Sequence, residues 1–241
     1  MRTKMITATV TLLAFTALLA LAAPLAQADD GADLDNQVRI GLYYVHYSVS
    51  ADNITGPYVP PCPPECLNLR VEDLETLYFA YVRRLSTHFE AELAGGYPPA
   101  TRTIGRGPAT LGSVPYNGEV ISTARWLAPT LLFNFKFFDD AAPLRPYVGI
   151  GVNYTDFYSR QSTLAGDAVT GGPTSVSLPS SWGPAADVGV SYRAAARVRL
   201  YASYSYSYVH SRLTADTAGL IHTTNINFNP RALVLSVGYS F

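Results

Sequence analysis

TLLFNFKFF, residues Thr130 to Phe138, sets Asn134 and Lys136 among Leu131, Leu132, Phe133, Phe135, Phe137 and Phe138. A helix would carry the two polar side chains around to the face it has to bury. An extended strand sorts them instead. Leu131, Phe133, Phe135 and Phe137 fall on one side, and Thr130, Leu132, Asn134 and Lys136 on the other. One wholly apolar face with a lysine on its reverse suits a closed membrane barrel, in which lipid takes the first face and an enclosed lumen the second.

The same period of two recurs along the chain. It runs through VRIGLYYVHYS (38–48), EDLETLYFAYVR (72–83), THFEAELAGGY (87–97) and STARWLAPTLLFNFKFF (122–138). It returns in PLRPYVGIGVNYTDFYS (143–159), SWGPAADVGVSYR (181–193), VRLYASYSYSYV (198–209) and FNPRALVLSVGYSF (228–241). A tilted membrane strand needs about ten residues, and these segments supply them. The connections alternate: 49–71, 98–121, 160–180 and 210–227 are long, whereas 84–86, 139–142 and 194–197 are short. Tight turns on one rim and long loops on the other are the signature of an outer-membrane barrel, and a soluble sandwich has no reason for them. The expectation is an all-β chain: an eight-stranded antiparallel transmembrane β-barrel with long extracellular loops and short periplasmic turns.

Composition agrees. Of 241 residues, 48% are hydrophobic and 15% charged, and tyrosine is abundant at 17. Arg2 and Lys4 precede an apolar run that closes on Ala26-Gln27-Ala28, which reads as a cleaved secretory signal over 1–28 ahead of a barrel over 29–241. Cleavage would remove two cations and no acids, leaving 15 basic against 18 acidic residues and a charge of −3. That balance argues against a nucleic-acid partner.

Strand direction sorts the inward side chains by depth. With the first strand running outward, Arg39, Glu90, Lys136, Arg145 and Arg199 fall in the periplasmic half. Tyr43, Val45, Tyr47, Gly151 and Ala185 line the outer half. Eight strands leave little room inside, so unpaired charges there would be costly. A hydrogen-bonded cluster of Arg39, Glu90, Lys136 and Arg145 is therefore expected, plugging the lower half beneath an apolar upper one. Pro129 and Pro184 interrupt good strands toward their outer halves, and proline donates no ladder hydrogen bond. They are read either as bulges that bend the wall or as a seam through which an apolar solute leaves sideways.

Cys62 and Cys66 form a C-x3-C pair in a proline-rich first loop, GPYVPPCPPECLNL. In an exported protein a disulfide is the favoured reading, ahead of free thiols, and a metal site lacks ligands. His46 and Ser48 share a strand face, an arrangement a membrane hydrolase could use, but a triad needs an orienting carboxylate, and rim residues are the preferred reading. Tyr204, Tyr206 and Tyr208 read as an aromatic girdle. The Gly- and Ser-rich 164–180 reads as a flexible loop, and no phosphate-binding motif is present. No cofactor is expected, and no enzymatic activity.

LAPTLLFNFKFF, PLRPYVGIGVNYTDFYS, SWGPAADVGVSYR and FNPRALVLSVGYSF together resemble the OmpW/AlkL family of outer-membrane proteins, with RPYVGIGVNYT the most specific piece. The resemblance implies an eight-stranded barrel in the bacterial outer membrane with a narrow, largely apolar channel. It also implies passive uptake of small hydrophobic solutes with lateral release into the membrane. Phe241 resembles the terminal aromatic read by the barrel assembly machinery, which with outer-membrane lipids completes the expected partners. A surface-interaction barrel without transport, serving adhesion, phage binding or stress, is the alternative.

Overall fold

The computed structural model describes residues 34–108, 110–111 and 114–241; the signal segment expected over 1–28 lies outside them. Eight long strands follow in order: β1 (Asn36–Tyr47), β2 (Leu74–Arg84), β3 (Phe89–Gly96), β4 (Thr130–Lys136), β5 (Leu144–Ser162), β6 (Ser181–Arg193), β7 (Val198–Ser207) and β8 (Pro230–Ser240). Each pairs antiparallel with the next, from β1–β2, with Asn36 opposite Arg83, to β7–β8, with Val198 opposite Tyr239. The β1–β8 ladder, from Gln37 opposite Ser240 to Tyr47 opposite Pro230, closes the barrel. Closure leaves no sheet edge facing a medium that offers backbone groups no partners.

The faces divide as the alternation requires. Leu131, Phe133, Val148, Ile150 and Val152 lie on the outside and are exposed, while Leu132, Asn134, Lys136, Arg145 and Tyr147 are buried within. Ile150 is 72% exposed, which for an isoleucine fits contact with lipid and not with water. Toward the periplasmic end Phe89 meets Phe133 and Phe135 at centroid separations of 5.3 Å, part of an aromatic belt. Three turns join strands on that rim: 85–88, 137–143 and 194–197.

The long connections are more ordered than the sequence pattern suggests. β5 has 19 residues and spans roughly 60 Å, twice the apolar thickness of a bilayer, so its end stands above the membrane. That end, Asp156–Ser162, pairs with the segment Val120–Leu127, which pairs with Ala100–Arg106, which pairs with Asn68–Val71. On the other side, the hairpin His210–Thr217 and Leu220–Asn227 binds Ser175–Ser177 and Ser50–Ala51. The result is an extracellular collar of short sheets.

Three sequence expectations are corrected here. The continuous strand over 122–138 is two strands, parted at Ala128-Pro129. The stretch 210–227 is a hairpin and not a plain loop. Within 164–180, called flexible, a short helix α1 (Leu164–Thr170) forms, with Gly166 N donating to the Thr163 side chain and left-handed Gly171 as its stop. All four long connections share one rim, so epitope tags in 49–71, 98–121, 160–180 and 210–227 are expected to bind antibody on intact cells. Two neighbouring long connections reached from opposite sides of the membrane would refute the strand count.

Candidate functional site

The lumen has a charged floor. Arg39, inward on β1, donates to Glu92 at 2.9 Å and to Glu90 at 3.3 Å, both on β3, and its Nε donates to Gln37 Oε1 at 2.8 Å. Lys136 on β4 donates to the other Glu90 oxygen. Glu92 also accepts from Asn134 Nδ2 at 2.7 Å and from the Tyr78 hydroxyl. The Tyr201 ring on β7 stacks under the Arg39 guanidinium, 3.7 Å from its carbon to the centroid. Two cations, two carboxylates, two amides and two phenols thus fill the cross-section. Buried charge in so narrow a space is tolerable only with this density of partners.

Arg39, Glu90 and Lys136 stand together, and Arg145 stands apart from them. At the periplasmic start of β5, Arg145 bonds Asp140 and donates to the carbonyls of Thr87 at 2.6 Å and Phe138 at 2.7 Å. Arg84 bonds the same Asp140, so this second group ties the β2–β3 and β4–β5 turns to each other. Asp140 takes Arg145 in place of Glu90 because the turn that holds it leads straight into β5, only five positions before Arg145. Arg199 joins neither group; its Nη1 has no partner among the described residues. The member that the alternation placed inside but that was not singled out is Glu92, which takes more hydrogen bonds than Glu90. Its inward parity was the available signal.

Above the floor the lumen turns apolar. A cavity is lined by Tyr43, Val45, Tyr47, Val71, Trp126, Ala128, Phe157, Val209 and Phe228, with several hydroxyls and the Asn153 amide. A second lies against the floor, shares Tyr43, Ala128 and Ser207 with the first, and is more polar: Glu92, Asp187, Thr130, Ser203 and Ser205 line it beside Ala185. Gly151 faces inward where a Cβ would run into the Leu131 carbonyl, so it serves close strand approach and not lining. Leu69, Trp126, Phe157, Leu178, Leu213 and Ile226 pack into an apolar cluster in the collar that roofs the chamber.

The wall of the chamber is broken on one seam. The β3–β4 ladder ends at Thr130 opposite Ala94, and pairing resumes only at Arg125 opposite Ala100. Between them Gly95-Gly96-Tyr97-Pro98-Pro99 faces Trp126-Leu127-Ala128-Pro129 with no pairing. The sequence explains the break: Pro98 and Pro99 donate nothing, and unequal segment lengths prevent a common register. The Ala128 carbonyl, left out of the ladder, accepts from the Thr130 hydroxyl at 3.3 Å. A Cβ built on Gly95 meets nothing within 4 Å, and Gly95 and Ala128 both line the lower cavity. Pro129 borders this gap.

Pro184 does not interrupt its strand. It lies inside the continuous β6, opposite Val152, and its carbonyl accepts from Tyr208 N at 2.9 Å. The wall there is intact because proline's missing donor falls at the outer end of the β6–β7 ladder, where pairing is ending anyway.

At the rim, His46 Nδ1 lies 2.8 Å from Asp73 Oδ2 and Tyr47 N donates to Asp73 Oδ1 at 3.1 Å, which fastens the outer ends of β1 and β2. Cys62 and Cys66 are joined by a disulfide in the first loop. Phe241, half exposed, exchanges backbone hydrogen bonds with Asn36 at 2.8 and 3.2 Å, so the last residue is held to the first strand. Among the described residues no cluster of His, Cys, Asp and Glu could hold a metal ion.

Comparison with known proteins places this geometry. A family model described as OmpW family matches residues 107–241. Outer membrane protein W of Salmonella typhimurium is 31% identical over 142 residues, covering 56% of this chain and 66% of that protein. The match therefore spans just under two thirds of that relative's length. The dibenzothiophene metabolism operon protein PahQ of Pseudomonas aeruginosa is 28% identical over 156 residues, covering 63% of this chain and 62% of that protein. The outer membrane protein OprG of Pseudomonas aeruginosa superposes with a TM-score of 0.76 at 18% identity, over 89% of this chain and 99% of that one, a likeness of fold.

Proposed function

Because the chain belongs to the OmpW family of outer-membrane proteins, we propose that this outer-membrane barrel admits small hydrophobic molecules passively and releases them sideways into the bilayer. The observation that carries the reading is the unpaired stretch of wall at Gly95–Pro99 and Trp126–Pro129, opening beside an apolar chamber whose floor is closed by ion pairs. A solute that continued downward would have to part Arg39 from Glu90 and Glu92, at the cost of leaving buried charges unpaired. A solute that turns sideways gains about 25 cal/mol for each Å² of apolar surface it transfers to lipid. Pro129 borders this exit, and Pro184, set in paired wall, has no part in it. The similarity to a protein named for dibenzothiophene metabolism supports an aromatic, apolar substrate class.

The test is uptake of naphthalene, an apolar probe with no charge, by cells with and without the protein. Faster entry with the protein is expected. Equal entry would overturn the channel reading and favour the surface-interaction alternative, in which the collar and not the chamber is the working part.

A further inference from the structure

The collar holds a further cavity that shares no lining residue with the chamber below. Ile121, Val169, Val176, Leu213 and Ala215 supply apolar wall, and Ser and Thr residues line the rest. The hydroxyls of Ser162, Thr170, Thr174, Thr223 and Thr224 are engaged within the protein. Two other side chains each carry a buried polar atom without a partner. Tyr116 is 2% exposed and its hydroxyl has no partner among the described residues. His222 is 5% exposed and its Nδ1 has none. Both line the cavity.

Their hydrogen-bonding roles follow from their other contacts. His222 Nε2 lies 2.9 Å from the Pro57 carbonyl, which can only accept, so Nε2 carries the proton. In the tautomer with that proton on Nε2, the neutral imidazole presents Nδ1 as an acceptor. Burial pushes the Tyr116 hydroxyl above its ordinary pKa, which keeps its proton available to donate. The unpartnered groups in the wall are therefore one donor and one acceptor. A hydroxyl group, which can accept one hydrogen bond and donate another, complements either. The proline-rich loop closes over this place: Pro57 holds His222, and Thr55 exchanges backbone hydrogen bonds with Thr223 at 2.9 Å.

We propose that this cavity is a recognition subsite for small apolar molecules bearing a single hydroxyl, phenols and hydrophobic alcohols, which it binds ahead of the chamber. The proposal rests on the channel reading above for its place in a route, and its geometry stands without it. Bulk apolar contact supplies most of the binding, and the Tyr116–His222 pair selects the hydroxylated member of a matched pair of solutes, since buried polar groups left unpaired penalise the analogue that lacks it.

The experiment compares 1-naphthol with naphthalene on the full protein in lipid nanodiscs, with empty nanodiscs as the partition control. Saturable binding of 1-naphthol about tenfold tighter than naphthalene is expected, the ratio that one good neutral hydrogen bond gives. Tyr116→Phe, which keeps the shape, should weaken 1-naphthol toward the affinity of naphthalene and leave naphthalene unchanged. Val169→Trp, which fills the cavity, should abolish saturable binding of both. Parental affinities in both variants, each checked as folded by its heat-dependent gel mobility, would overturn the subsite. Protein-dependent naphthalene uptake that neither variant alters, alongside those parental affinities, would leave the channel reading standing without it. Binding that responds to both variants, in a protein that speeds no uptake, would support the subsite and defeat the channel reading.

Discussion

Glu92→Ala is expected to lower the unfolding free energy of the barrel by roughly 3–5 kcal/mol, the range for removing one partner from a buried ion pair. The carboxylate is 2% exposed and takes hydrogen bonds from Arg39, Asn134 and Tyr78, drawn from β1, β4 and β2. Its loss leaves an amide and a phenol without their acceptor and Arg39 with Glu90 as its one carboxylate partner. Glu90→Ala should cost less, since its side chain is more accessible, at 12%, and it holds fewer partners. Glu119→Ala, an exposed position in the collar, is the control and should change nothing measurable. Urea titration of the three variants in lipid vesicles decides the matter. A midpoint for Glu92→Ala equal to that of Glu119→Ala would mean that water, and not Glu92, satisfies Arg39.

The second large effect concerns the broken seam. Gly95→Trp is expected to slow naphthalene uptake by about tenfold or more, the factor that 1.4 kcal/mol of added barrier gives. Gly95 lines the lower cavity at the break, and a Cβ there meets open space, so an indole can cover the mouth without displacing wall. Stability should hold or rise, because a strand interior gains from replacing glycine. Pro129→Val should slow uptake little, because its new backbone donor would face Tyr154 on β5, whose own N–H already bonds the Pro129 carbonyl at 3.0 Å, and not the gap. Pro184→Val should leave uptake unchanged. If all three variants transport like the parent, solutes do not leave through this gap.

How much of this was legible without coordinates depends on the range over which the cause acts. Inward and outward faces follow from alternation within one strand, so TLLFNFKFF alone assigns Lys136 to the lumen and Phe133 to lipid. The spacing of turns acts over a few tens of residues, and with the faces it is enough for eight antiparallel strands and a closed barrel. The depth of each inward charge follows from strand direction, which is why Arg39, Glu90 and Lys136 were expected together and stand together.

Which carboxylate serves which cation is another matter. Arg39 and Glu92 are 53 positions apart, and their contact depends on the register of β1 on β2 and of β2 on β3. A slip of two residues in either would keep Glu92 inward but carry it past Arg39, and no local pattern reports that register. Arg145 shows the converse, since its partner Asp140 was only five positions away in a turn that had been read as mere connection. The same limit applies to the wall. Two prolines in strands look alike in sequence, yet Pro129 faces a segment of unequal length across β3–β4 whereas Pro184 sits in a continuous ladder. The sequence by itself determined the faces, the strand count and the polarity of each half of the lumen, because each is set by neighbours along the chain. Only the tertiary structure decided the ion-pair partners, the gap in the wall and the collar cavity, because these arise where segments far apart in the chain meet in one register.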